Sequence, residues 1–136
     1  METKERPKGL LGKTYKMSTG CGNLYVTVNL HDGEVFEVFA KLGKSGGCPS
    51  CQLEALTRSI SIGIRSGVTA HAYCRTLSGI HCSSPTYSEG EQILSCPDAI
   101  SKVLKYYTDE APMEMYAASS IIKNGSIIKD YEPSNE

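Results

Sequence analysis

Leu24-Tyr25-Val26-Thr27-Val28-Asn29 alternates apolar and polar side chains, the period of a strand with one buried face. Asp32-Gly33 is a turn signal and Val35 to Lys41 follows as a second strand, so 24–41 reads as a β-hairpin. Before it, Lys13 to Thr19 is strand-like, with Tyr15 and Met17 on one face. After it the period changes. Leu53, Leu56, Ile60 and Ile64 recur at helical spacing, and Glu54 and Arg58 form an i,i+4 pair. Ser59-Ile60-Ser61-Ile62-Gly63-Ile64 also alternates like a strand, but the length of the run, its start at Pro49 and its stop at Gly67 favour a helix over 49–65. Thr69 caps a short helix over 70–78 that Gly79 ends, and Pro97 opens a third over 97–107 with Ile100, Val103 and Leu104 on its apolar face. The expectation is an α+β fold: a small antiparallel sheet over 13–41 with two to three packed helices.

The totals narrow the class. A chain of 136 residues, 40% hydrophobic, can bury a core without disulfides. With 14 basic and 15 acidic residues it has no electrostatic footprint for nucleic acid, and no apolar run approaches a membrane span. The start, Met1-Glu2-Thr3-Lys4-Glu5-Arg6-Pro7-Lys8, lacks the apolar core of a signal peptide, so a reduced, cytoplasmic chain is expected. Residues 1–11 read as a flexible arm and 12–107 as the domain. Residues 108–136 read as an extension with a hairpin at 119–130 built on Asn124-Gly125.

Six cysteines in such a compartment favour metal or catalysis over a disulfide framework. Four stand in distinctive settings: Gly20-Cys21-Gly22, Gly46-Gly47-Cys48-Pro49, Ile80-His81-Cys82 and Ser95-Cys96-Pro97-Asp98. A Cys-Pro junction at a helix start brings sulfur near unpaired N–H groups, which favours thiolate. Cys48-Pro49-Ser50-Cys51 suits two tasks, a pair of zinc ligands or a redox dithiol, and the antiparallel context counts against a thioredoxin-like reading. The plainer readings are a small turn residue for Cys21, a half-buried loop thiol for Cys82 and a capping residue for Cys96. Cys74, inside a helix, reads as packing. His31 and His71 read as solvated, and His81 could replace one thiolate. Gly43-Lys44-Ser45-Gly46-Gly47 lacks P-loop spacing and reads as a plain loop, and no other nucleotide or hydrolase motif occurs.

Three stretches carry a family resemblance: Thr19-Gly20-Cys21-Gly22-Asn23-Leu24-Tyr25-Val26-Thr27-Val28; Phe36-Glu37-Val38-Phe39-Ala40-Lys41-Leu42-Gly43-Lys44-Ser45-Gly46-Gly47-Cys48; and Leu94-Ser95-Cys96-Pro97-Asp98-Ala99-Ile100. They resemble the TSCPD domain, found near the C-terminus of adenosylcobalamin-dependent (class II) ribonucleotide reductases and in short free-standing proteins. The resemblance runs from about residue 12 to 106. It orders the cysteines, because the family's pattern falls on Cys21, Cys48, Cys82 and Cys96, the set a closed tetrahedral thiolate site needs. Cys51 falls where the family has a small residue and is an alternate ligand or incidental. Leu94 stands where the motif has Thr. Class II reductases usually continue into a cysteine-rich tail, whereas this chain has no cysteine after Cys96.

The resemblance implies an accessory or regulatory module of ribonucleotide reduction, and hence of deoxyribonucleotide synthesis. It would be held by zinc on Cys21, Cys48, Cys82 and Cys96, with an iron–sulfur cluster as the lesser option. By homology alone the chain would be called a ribonucleoside-diphosphate reductase. It lacks the radical barrel, so it is not expected to be catalytic alone, and cobalamin would enter only through a partner reductase catalytic subunit. Two other readings stay open: a thiol–disulfide oxidoreductase using Cys48 and Cys51, and a metal-stabilised interaction module. A homo-oligomer, through Leu10-Leu11 or the 121–128 hairpin, is also left open.

Overall fold

A computed structural model describes residues 2–44 and 47–108, and the backbone alone of 122–123 and 126–127. Strands β1 (Leu11–Thr19), β2 (Gly22–His31) and β3 (Glu34–Leu42) form an antiparallel sheet in the order β1-β2-β3. The β2–β3 turn is Asp32-Gly33, both with positive φ (52° and 80°), which suits the twist of a tight hairpin. Leu24, Val26, Val28 and Leu30 of β2 are buried, as the alternation requires, together with Met17 of β1 and Val38 and Leu42 of β3.

Helix α1 (Gly47–Arg65) packs on β3, and α3 (Cys96–Lys105) on β1 and β2, while α2 (Ala70–Leu77) packs on α3. In α3, Ala99, Ile100, Val103 and Leu104 are all buried, the apolar stripe read from the sequence. The ambiguous run at 59–64 is helix. Ser61 lies within it and accepts from Val38 N–H (3.0 Å) while donating to Val38 C=O (2.9 Å). Val38 is on an edge strand, so this one hydroxyl satisfies a donor and an acceptor that would otherwise be buried unpaired.

Residues 2–10 have no regular secondary structure, but they are anchored. Lys4 N–H donates to Arg65 C=O (3.0 Å), Arg65 Nε donates back to Lys4 C=O (2.9 Å), and Arg6 forks onto the Glu37 carboxylate at 2.8 and 2.9 Å. Glu37 also accepts from Asn29 (2.8 Å). Burial works against its charge, yet Arg6 and Asn29 prevail and hold its pKa below the ordinary value.

The stretch before α3 holds an element that the sequence pattern does not show. It contains a short hairpin, β4 (Thr86–Ser88) with β5 (Glu91–Ile93), turning at Glu89-Gly90 with φ of 50° and 81°. Strands of three residues are too short to show a period, which is why the sequence pattern conceals them. Of the expected 119–130 hairpin, β6 (Ile122–Lys123) pairs antiparallel with β7 (Ser126–Ile127); Asn124-Gly125 lies outside the described residues. Among the described residues no helix is long and apolar enough to cross a membrane.

Candidate cysteine centre

The β1–β2 turn, Gly20 to Gly22, is organised by Thr19. Its hydroxyl donates to Gly22 C=O (2.8 Å) and accepts from Cys21 N–H (3.2 Å). Gly22 has a φ of 113°, a conformation glycine adopts without strain. At Gly20 the reason for glycine is proximity. A Cβ there would lie 1.8 Å from Ser84 C=O, so the loop that carries Cys82 is pressed against the turn that carries Cys21.

The Cys82 loop is tied in turn to the start of α3. Cys82 N–H donates to Leu94 C=O (3.0 Å), and the Ser95 hydroxyl donates to Ile80 C=O. Ser95 is the N-cap of α3, accepting from Asp98 N–H (3.1 Å), so Cys96 is the first helical residue and not the cap. Asp98 completes the joint: one carboxylate oxygen accepts from Gly79 N–H (2.9 Å), the other from Leu94 N–H (3.0 Å) and Lys102 (3.2 Å). It is 1% exposed. Burial opposes its charge, but the Gly79 and Leu94 amides and Lys102 outweigh that and lower its pKa. The Ser-Cys-Pro-Asp run is thus a cap, a thiol, a helix opener and a clamp on the neighbouring loop.

These elements join the segments that carry three of the motif cysteines. Cys96 Sγ lies 3.7 Å from Thr19 Oγ1, and the Cys21 and Cys82 thiols both act on its ionisation. The Cys96 thiol is pushed up, first by burial; Thr19 acts in the opposite sense, and Cys21 and Cys82 add to the rise. This corrects the expectation that the Cys-Pro junction at Cys96 favours thiolate. The helix start is real, but desolvation and the neighbouring sulfurs outweigh it. The Cys82 sulfur also accepts from Ser84 N–H (3.3 Å).

Cys48 and Cys51 stand in the first turn of α1, both exposed, with the Cys51 thiol donating to Cys48 C=O (3.2 Å). Cys48 is not among the thiols acting on Cys96. The connection leading to it starts beside the Cys21 turn, where Gly43 N–H donates to Asn23 C=O (2.8 Å). Among the described residues no three His, Cys, Asp or Glu side chains are arranged to hold a metal ion. Cysteine sulfur is a soft donor, and by its chemistry would suit a thiophilic cation. His81, His31 and His71 are exposed, and Cys74 is buried with its sulfur 3.4 Å from Ser101 C=O, a packing role. Thr19 and Ser84 are the residues that sequence reasoning left without a role; the only signal for Thr19 was its place at the head of the Gly-Cys-Gly motif.

The comparisons with known proteins bear on this centre. The family described as TSCPD domain matches residues 1–108, which include the turn, the loop and the α3 start. The chain belongs to the TSCPD domain family. Two similar proteins are the vitamin B12-dependent ribonucleotide reductases of Streptomyces avermitilis and Streptomyces coelicolor. Each is 24% identical over 144 residues, covering 98% of this chain and 14% of the relative. The TSCPD chain therefore spans a small part of the curated relatives it matches. No solved structure matches it.

Proposed function

We propose that this TSCPD domain is an accessory or regulatory module of B12-dependent ribonucleotide reduction, with Cys21, Cys82 and Cys96 as the core of a zinc site and Cys48 as the fourth ligand. It acts in a reduced, cytoplasmic compartment, beside a reductase catalytic subunit that alone supplies cobalamin. The observation that supports this reading is the hydrogen-bond frame tying the Cys82 loop and the Cys96 helix start to each other and Thr19 of the Cys21 turn to Cys96, in a domain similar to part of B12-dependent reductases. Thr19, Ser95 and Asp98 position the sulfurs, and deprotonation of the raised Cys96 thiol accompanies ligation. Zinc, when bound, would supply a rigid tetrahedral link between the turn, the loop and two helix starts. An iron–sulfur cluster would draw on the same thiols and show as a brown colour.

The test is reconstitution. Alone, supplied with cobalamin and a dithiol, the chain should reduce no ribonucleotide. Added to a B12-dependent reductase shortened before its own TSCPD domain, it should bind and change turnover. Turnover by the chain alone, or no binding and no effect on the shortened reductase, would contradict the proposal.

A second reading has its own observation. Cys48 and Cys51 are both exposed and stand within one helical turn, the spacing a thiol–disulfide oxidoreductase uses. A Cys48–Cys51 disulfide that forms on mild oxidation and is reversed by thioredoxin would favour it.

A further inference from the structure

A cleft of about 420 Å³ opens between α2 and α3, which pack on each other. Its α2 wall is His71, Cys74, Arg75 and Ser78, one helix face at i, i+3, i+4 and i+7. Its α3 wall is Ser101, Lys102 and Lys105, and Glu91 stands at the rim. Four of the eight lining residues are basic types and one is acidic, in a chain whose net charge is −1.

The charges are not already spent on one another. Lys102 is held, 3.2 Å from Asp98 and 3.7 Å from Glu91. Among the described residues Arg75, Lys105 and His71 take part in no ion pair, and Arg75 and Lys105 are exposed. Arg75, Lys102 and Lys105 lie in last helical turns, where a cation complements the helix dipole. That accounts for each singly. It does not account for their sharing one cleft with His71, which is in the first turn of α2.

We infer that this cleft is a binding site for a multivalent phosphate, such as a pyrophosphate or triphosphate group. Two cations without an ion pair among the described residues, Arg75 and Lys105, call for more than one negative charge on the ligand. Arg75 offers the planar fork that matches phosphate oxygens, and Lys105 a mobile point charge. The volume exceeds what a single phosphate fills, and its mostly polar walls do not suit an apolar ligand. Lys102 links the cleft to the cysteine centre, because the Asp98 it contacts also accepts from Gly79 and Leu94 beside Cys82 and Cys96.

Titration calorimetry with sodium tripolyphosphate at low ionic strength tests the site, using the full chain. One saturable site is expected. Arg75→Gln with Lys105→Gln should weaken it about tenfold or more, while Lys41→Gln, an exposed lysine on the sheet, should leave it unchanged. Circular dichroism of the double variant should be that of the parent. Absence of saturable binding, equal binding by the double variant, or citrate binding as tightly as tripolyphosphate would overturn the assignment.

Discussion

The thiol of Cys96 meets the hydroxyl of Thr19 at 3.7 Å, across 77 residues of sequence. That hydroxyl already holds the Cys21 turn, accepting from Cys21 N–H and donating to Gly22 C=O. One side chain therefore sets both the backbone that presents one sulfur and the polarity around another.

Removing the hydroxyl should be felt at Cys96. The Thr19 contact lowers the pKa of a thiol that burial and its neighbours raise. Thr19→Val should therefore raise it further and slow alkylation of Cys96 in metal-free protein, by about threefold. Thr19→Ser should behave as wild type. Peptide-resolved alkylation rates at fixed pH decide it, and faster modification in the valine variant would contradict the account.

Asp98 and Glu37 give the domain its acid sensitivity. Each carboxyl has a lower pKa folded than unfolded, so the unfolded chain takes up these protons first. The stability they contribute is present above the ordinary carboxylate range and is lost as pH falls through it toward the depressed folded values. Asp98→Asn should cost about 2 kcal/mol at neutral pH, the scale of hydrogen bonds to a buried charge, and should flatten the acid limb of stability against pH. Urea denaturation from pH 7 to pH 3 measures both effects. An unchanged acid limb would place the sensitivity elsewhere.

Cys96→Ala and Cys74→Ala separate ligation from packing. Cys74 is the more deeply buried, so packing alone makes its loss the costlier, at about 1 kcal/mol. If Cys96 holds a metal, the order reverses in loaded protein, because ligand binding energy is also folding energy. Melting temperatures with and without chelator should therefore rank the two variants oppositely.

Metal affinity should also fall on acidification. Ligation needs the thiolate, and the Cys96 thiol is held above its ordinary pKa, so binding releases a proton there. Competition against a chromophoric chelator between pH 6 and pH 8 should show affinity rising with pH. A flat profile would remove Cys96 from the ligand set.

The sheet was legible because β2 alternates and Asp32-Gly33 marks the turn into β3, and the helices because Pro49, Gly67, Thr69 and Pro97 punctuate them. The β4–β5 hairpin was not, since three-residue strands carry no period. At the site, the Gly-Cys-Gly and Ser-Cys-Pro-Asp motifs pointed to Cys21 and Cys96. What they could not convey is tertiary: Ser84 pressed on Gly20, Thr19 joining the Cys21 turn to the Cys96 thiol, and burial raising a thiol that the helix start alone would lower.

The central claim is a metal thiolate centre on the motif cysteines. Metal analysis of protein purified without chelator, coupled to alkylation and mass spectrometry of the native chain, tests it most directly. The account predicts about one metal ion per chain, with Cys21, Cys48, Cys82 and Cys96 shielded together until a chelator is added while Cys51 reacts throughout. Folded, metal-free protein in which Cys21, Cys48 and Cys82 react alike with and without chelator would contradict it.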